Sequence, residues 1–326
     1  MQLNRMSILK IFARKIDMSI KDTEEEIYMT FTCGGIQYEV FEHFINHHIA
    51  MGIKKENIVF CYHKNTDIEE RYDTIWKNIF KKFNLKPSVI IECPFDTQRM
   101  QIEPLVEIKK SLPVNCWIVR TDTDAFIELP YHKNNIPEFC HYLNKNNYTH
   151  AIAVTVDRLS LNGSFKDIDN NNSVFEQFPL ILKDNARLRS LMKLATGQPV
   201  KKNKKNVYER PKQSLVFASR NFIEQTQSVH QLDYPEDPNL SVYKKLGILH
   251  HFKYDASYKT KHAFGGSILG EKYHRAFFSD IHKTFYRDEE HLCLEKISEA
   301  YEHQKEPKVL TFNPNFPSYI GEPKWL

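Results

Sequence analysis

Glycine is scarce, with 10 residues in a chain of 326. That excludes a collagen-like chain and long glycine-rich linkers. No window approaches the roughly 18 consecutive apolar residues of a membrane span. The opening "MQLNRMSILKIFARKIDMSI" is basic and amphipathic and lacks the uninterrupted apolar stretch of a secretory signal. No C-x-x-C pair occurs. The six cysteines, Cys33, Cys61, Cys93, Cys116, Cys140 and Cys293, lie far apart, several of them inside apolar runs. There a thiol behaves as a small core residue. This favours a reducing compartment over a disulfide framework, so a cytoplasmic location is expected. A large charge of one sign is missing too. The formal net charge of +4 is too small to indicate nucleic acid as a partner.

What is present fits an ordinary globular protein: 41% hydrophobic and 26% charged residues, with 13% aromatics suited to packing or stacking against rings. The length suffices for one large α/β domain or two small ones. One local run departs from the charge balance, "KKNKK" at Lys201–Lys205, between Pro199 and Pro211. It reads as a solvated loop, or as a mobile loop beside a phosphate or an anionic membrane surface. Peripheral membrane contact is an expectation on the second reading.

From residue 26 the pattern becomes regular. "EIYMTFTC" reads as a strand, closed by Gly34-Gly35. Helical spacing follows at Phe41, Phe44, Ile45, Ile49 and Ile53. A strand over 57–63, an amphipathic helix over 68–83, a strand over 88–95 and a helical stretch over 100–112, with Pro104 at an irregular start, come next. Then an apolar run ends in "CWIVRTDTDAFIEL", Cys116–Leu129, a fourth strand. A further helix and a strand over 149–160 follow. Alternation of this kind predicts an α/β fold, a mostly parallel, Rossmann-like sheet with helices on both faces. The expected organisation is an N-terminal arm over 1–26, one domain over 27–270, and a C-terminal helical extension with a Pro- and aromatic-rich tail over 271–326.

Parallel sheets gather ligands at the carboxyl ends of their strands. Asp122 and Asp124 therefore fall at the expected crevice. On an extended segment residues i and i+2 share a side, so both carboxylates could face one cation. Carboxylate oxygens suit magnesium or manganese, which also take phosphate oxygens. An Asp at a turn or helix cap is the plainer alternative. No helical run follows at once, so a cap is not needed.

These residues resemble a family. "WIVRTDTDAF" is similar to the D-x-D-E-F segment of GT-A-fold glycosyltransferases of the family-2-like and family-92-like branch. Trp117, Asp122, Asp124 and Phe126 match, and Ala125 stands where that family usually has Glu. "TVDRLSLNGSF", "FEQFP", "SVHQL" and "LGILHHFKYDASYKTKH" resemble later family segments in the same order, over roughly residues 27–265. The resemblance implies a metal-dependent transferase that moves a sugar from a nucleotide-sugar donor, UDP-linked, to a saccharide or glycan acceptor. It implies that Thr32, Gly34 and Gly35 approach the nucleotide, and that Asp122 and Asp124 hold manganese or magnesium, with His230 and His251 as the candidates for a late metal or phosphate contact and His230 taken as the metal ligand.

The remaining candidates follow from position. Arg99, after the third strand, could reach ribose or phosphate. Lys253 could neutralise diphosphate. Asp157 ends the fifth strand, where a carboxylate could serve as the base for an acceptor hydroxyl. His250 and His251 are adjacent, so on a strand they point to opposite faces. His251 is expected to face the site with Lys253 as a catalytic contact, while His250 and Phe252 pack inward. Two other functions compete. A sugar-phosphate nucleotidyltransferase would show a basic, glycine-rich loop after the first strand, and "CGGIQYEV" has no Lys or Arg. A non-catalytic glycan-binding protein on a degenerate transferase fold is favoured only by Ala125.

Overall fold

The computed structural model describes residues 26–93, 105–129, 134–181, 213–219, 241–258, 286–288, 290–296 and 311–312. Nearly all of the expected N-terminal arm lies outside the described residues.

The first half is a parallel α/β unit. Strand β1 (Glu26–Gly34) leads to helix α1 (Phe41–Ala50), β2 (Ile58–Asn65), α2 (Glu70–Phe83), β3 (Val89–Cys93) and β4 (Cys116–Arg120). These strands lie side by side as β3-β2-β1-β4, all parallel. A central strand is covered on both faces, which is why β1 buries Met29, Thr30 and Phe31 in succession. Helix α1 buries Phe41, Phe44, Ile45 and His48, one stripe at i, i+3, i+4 and i+7. That stripe and α2 close over the sheet through aromatic rings. Phe44 stands edge-on to Phe31 at 5.2 Å, Phe41 to Trp76 at 5.0 Å, and Phe80 meets Phe60 at 5.3 Å. Ring pairs in such geometry add to the area they bury.

The second half turns the sheet mixed. After β4 come β5 (Ala125–Glu128), α3 (Ile136–Lys145), β6 (His150–Leu159), α4 (Val174–Gln177), β7 (Leu180–Ile181), β8 (Gln213–Ser219) and β9 (Val242–His251). Strand β8 runs antiparallel between β4 and β6. Strand β9 lies between β6, to which it is parallel, and β5, to which it is antiparallel. Helix α3 starts where Asn135 Oδ1 accepts the Glu138 N–H at 2.9 Å, with Pro137 in its first turn. Among the described residues no helix is long and apolar enough to cross a membrane.

One expectation needs correction. The stretch read as one fourth strand is two strands in different pairings, because the chain turns at Thr121–Asp124. Beyond residue 270 the described residues include an antiparallel hairpin, β10 (Tyr286–Asp288) with β11 (His291–Leu292), and, in the tail, β12 (Thr311–Phe312) beside β7.

Candidate active site

The carboxyl end of β1 is shaped for close approach. Gly34 has φ +143°, and a Cβ there would collide with the carbonyl of His63, its partner on β2. Only glycine fits. Gly35 has φ +70° with open space where a Cβ would stand, and its carbonyl accepts the Trp76 indole N–H at 2.8 Å. Gly35 also borders a cavity of about 230 Å³ at the ends of β2 and β3, lined by Tyr62, Asn65, Tyr72, Asp73 and Trp76 among others. Tyr62 O–H donates to Asp73 at 2.7 Å and Lys77 pairs with the same carboxylate at 2.6 Å, so this wall is fixed. Thr32 is half-buried on β1, opposite Cys61 of β2.

Two residues beyond Gly35, Gln37 reaches the other side of the site. Its Nε2 donates to Asp124 Oδ2 at 2.8 Å. Asp124 is buried and Asp122 half-buried. They do not share an extended segment, contrary to the spacing argument. Ala125 N–H donates to the Asp122 carbonyl at 3.0 Å, closing a turn. Thr121 Oγ1 donates to the Ala125 carbonyl at 2.9 Å and stiffens it from inside. Behind the turn is the buried Arg120, whose pKa burial lowers to about 10 against the opposing charge of Asp122.

Strand β9 brings its last residue to this turn. His251 pairs with Ala125 across β5 and with Asp157 across β6. Its Nε2 lies 3.3 Å from Asp124 Oδ2, and its Nδ1 lies 2.9 Å from Asp157 Oδ1. Burial alone would hold the His251 pKa down, but the charges and hydrogen bonds of Asp124 and Asp157 overcome it and raise the pKa above the ordinary value. Asp157 has no exposed surface. Its carboxylate faces the His251 imidazole. On the opposite face His250 is fully buried, with Nε2 at 2.6 Å from Glu128 Oε2 and Nδ1 accepting from Arg158 Nε at 3.1 Å. Phe252 is buried as well, and Lys253 holds its ammonium 5.6 Å from the rings of both Tyr254 and Tyr258.

The structure thus gathers Asp124, His251 and Asp157 in one cluster, with Asp122 on the adjoining turn and Gly34 and Gly35 on the adjoining loop. Arg99, His230 and Lys201–Lys205 lie outside the described residues. Gln37 and Glu128 escaped the sequence reading. The only local hint of Gln37 was its place just after the glycine pair, where a loop must return over the strand ends. Among the described residues no three His, Cys, Asp or Glu side chains form a ready-made metal group.

No family model matches the chain, and no curated protein matches it. Among solved structures the chain is similar to S. aureus TarS 1–349 in complex with UDP-GlcNAc, at 12% identity and a TM-score of 0.32, over 70% of this chain and 58% of that one. S. aureus TarS 1–349 aligns at 10% identity and a TM-score of 0.29, over 86% and 73% of the two chains. A longer S. aureus TarS structure aligns at 12% identity and a TM-score of 0.31, over 80% and 45%. The chain therefore spans 58% of the first of these structures. Likeness at this level identifies neither a family nor a substrate.

Proposed function

We propose that the chain is a glycosyltransferase with a GT-A-like site, moving a sugar from a nucleotide-sugar donor, UDP-linked, to a saccharide or glycan acceptor. One observation carries this reading. A single loop, from Gly34 to Gln37, borders a cavity on one side and ties to a carboxylate–imidazole cluster on the other. The cavity would take the nucleoside and the cluster the diphosphate end. Both lie at the carboxyl ends of parallel strands, where such sheets bind ligands.

The cluster fits a divalent cation. His251 Nε2 and Asp124 Oδ2 are 3.3 Å apart. Adjacent ligands of an octahedral ion with bonds of about 2.1 Å stand about 3 Å apart. Carboxylate oxygen and imidazole nitrogen suit manganese, and magnesium also accepts the oxygens. Asp124 and His251 would hold the ion, with Asp122 as the further carboxylate and diphosphate oxygens and water completing its shell. Such ions commonly keep waters and phosphate oxygens in their shell. When bound, the ion would offset the negative charge that grows on the departing diphosphate. The protein's own part is to present Asp124 through Gln37, to leave open space for the donor at Gly35, and to hold Lys253 beside the same strand end.

Calorimetry with UDP on the full chain tests this reading. Manganese should tighten UDP binding at least ten-fold in the native chain, and Asp124→Ala should remove that gain while the fold survives. Equal UDP affinity with and without manganese in the native chain would contradict the metal-assisted site.

A further inference from the structure

Asp157 makes an arrangement that the proposed reaction does not by itself require. A carboxylate without exposed surface is costly unless it is paired. One partner is a ring nitrogen, His251 Nδ1, at 2.9 Å. The pairing is built into the sheet. Asp157 and His251 are Cα partners in the parallel β6–β9 ladder, and direct partners put their side chains on one face. On each strand the adjacent residue, Arg158 after Asp157 and His250 before His251, points the other way, and there Arg158 bonds to His250.

An imidazole has two ring orientations and two neutral tautomers, and only some combinations present a lone pair to an ion. An ionised carboxylate only accepts hydrogen bonds. Asp157 Oδ1 therefore requires a proton on His251 Nδ1. With Nδ1 committed, the ring has one way to lie, and Nε2 faces Asp124 at 3.3 Å. We propose that Asp157 is a positioning residue that clamps His251 through Nδ1 and aims its Nε2 at the cation site beside Asp124. The inference rests on the proposed cation site. It assigns Asp157 the work of an orienting partner in place of a base, and the same pattern of carboxylate behind imidazole is a general device for fixing metal-ligating histidines.

The competing account is a buried ion pair that merely fastens β6 to β9. The two differ in how Asp157 and His251 combine. Manganese affinity in the presence of UDP, read from the free-ion EPR signal, is measured for the native chain, Asp157→Asn, His251→Ala and the double variant. Asparagine keeps the shape but can turn its amide N–H toward Nδ1, which forces the wrong tautomer. The expected loss for Asp157→Asn is 10- to 100-fold, with little further loss when it is added to His251→Ala. An equal loss in both backgrounds means that Asp157 acts without His251 and overturns the proposal. If Asp157→Asn does not fold, Asp157→Ser removes the carboxylate without adding bulk, and the same loss is expected of it.

A second readout needs no metal. The His251 ring should give one narrow set of NMR resonances in the native chain and a shifted or broadened set in Asp157→Asn. An unchanged ring overturns the clamp whether or not manganese binds. A native chain that binds no manganese, yet releases its His251 ring in Asp157→Asn, supports the clamp and retires the cation reading alone.

Discussion

Two histidines that are neighbours in sequence sit in opposite electrostatic worlds on the two faces of β9. His250 is sealed in the core between Glu128 and Arg158. Burial, then the Arg158 charge, then His47, hold its pKa well below the ordinary value. His251 lies between Asp124 and Asp157, and the two carboxylates outweigh its burial and raise its pKa. Residue type, strand and backbone are shared. The neighbours differ, a carboxylate and a guanidinium at His250 against two carboxylates at His251. A neutral His250 accepts from Arg158 and donates to Glu128, so it links a buried charge pair that would otherwise be poorly solvated. His251 faces two negative groups and partial exposure, so a cation has a reason to come to it.

The sharpest way to break this comparison is to remove a core charge. Glu128→Ala should cost about 3–5 kcal/mol, because it leaves the Arg158 guanidinium buried without its bridged carboxylate. Urea unfolding would measure it. His251→Ala should cost clearly less stability than that. A larger loss for His251→Ala would mean that the site-facing cluster, not the core one, holds the sheet together.

Acid should separate the two faces next. His47 is held down to about 4 by burial, and His48 and His250 also lie well below the ordinary value. The unfolded chain takes up these protons first, near pH 6.5, while the folded chain refuses them. Their contribution to stability is thus complete above about pH 6.5 and is lost as pH falls below it. Each costs about 1.4 kcal/mol per pH unit until its folded pKa is reached. Unfolding free energies at pH 7 and pH 5 should show this decline. His250→Gln should flatten it relative to its own value at pH 7, and an unchanged slope would contradict the neutral state of His250.

Gln37 offers the smallest effect. It is half-buried and makes one hydrogen bond to Asp124. Gln37→Ala should weaken manganese-dependent UDP binding by about 1.5 kcal/mol, roughly twelve-fold, the lower range for a bond to a charged acceptor. No change at all would mean that the loop and the D-x-D turn are not coupled.

Much of the parallel half was legible because local pattern and global burial agree there. The strands from β1 to β4 carry continuous apolar runs, and α1 and α2 carry one apolar stripe each. The turn between β4 and β5 was hidden. It contains no glycine or proline, and its polar groups are satisfied by one another, through Thr121, Asp122 and Ala125. The D-x-D pair was visible as chemistry, yet its supports were not. Gln37 meets Asp124 across 87 residues, and Asp157 meets His251 across 94. Contacts of that span leave no periodicity in the sequence. Asp157 was visible at its strand end, but its neighbour in space, His251, was not. The C-terminal hairpin was missed for a different reason, since its strands are only two or three residues long, too short to show an alternation.

A crystal structure of the full chain grown with UDP and manganese tests the central claim most directly. The account predicts a manganese ion bound by Asp124 and His251 Nε2, His251 Nδ1 still on Asp157, diphosphate oxygens on the ion, and the uracil in the cavity beside Gly35 and Tyr62. UDP seated elsewhere, or His251 still resting on Asp124 with no ion between them while UDP is bound, would contradict it.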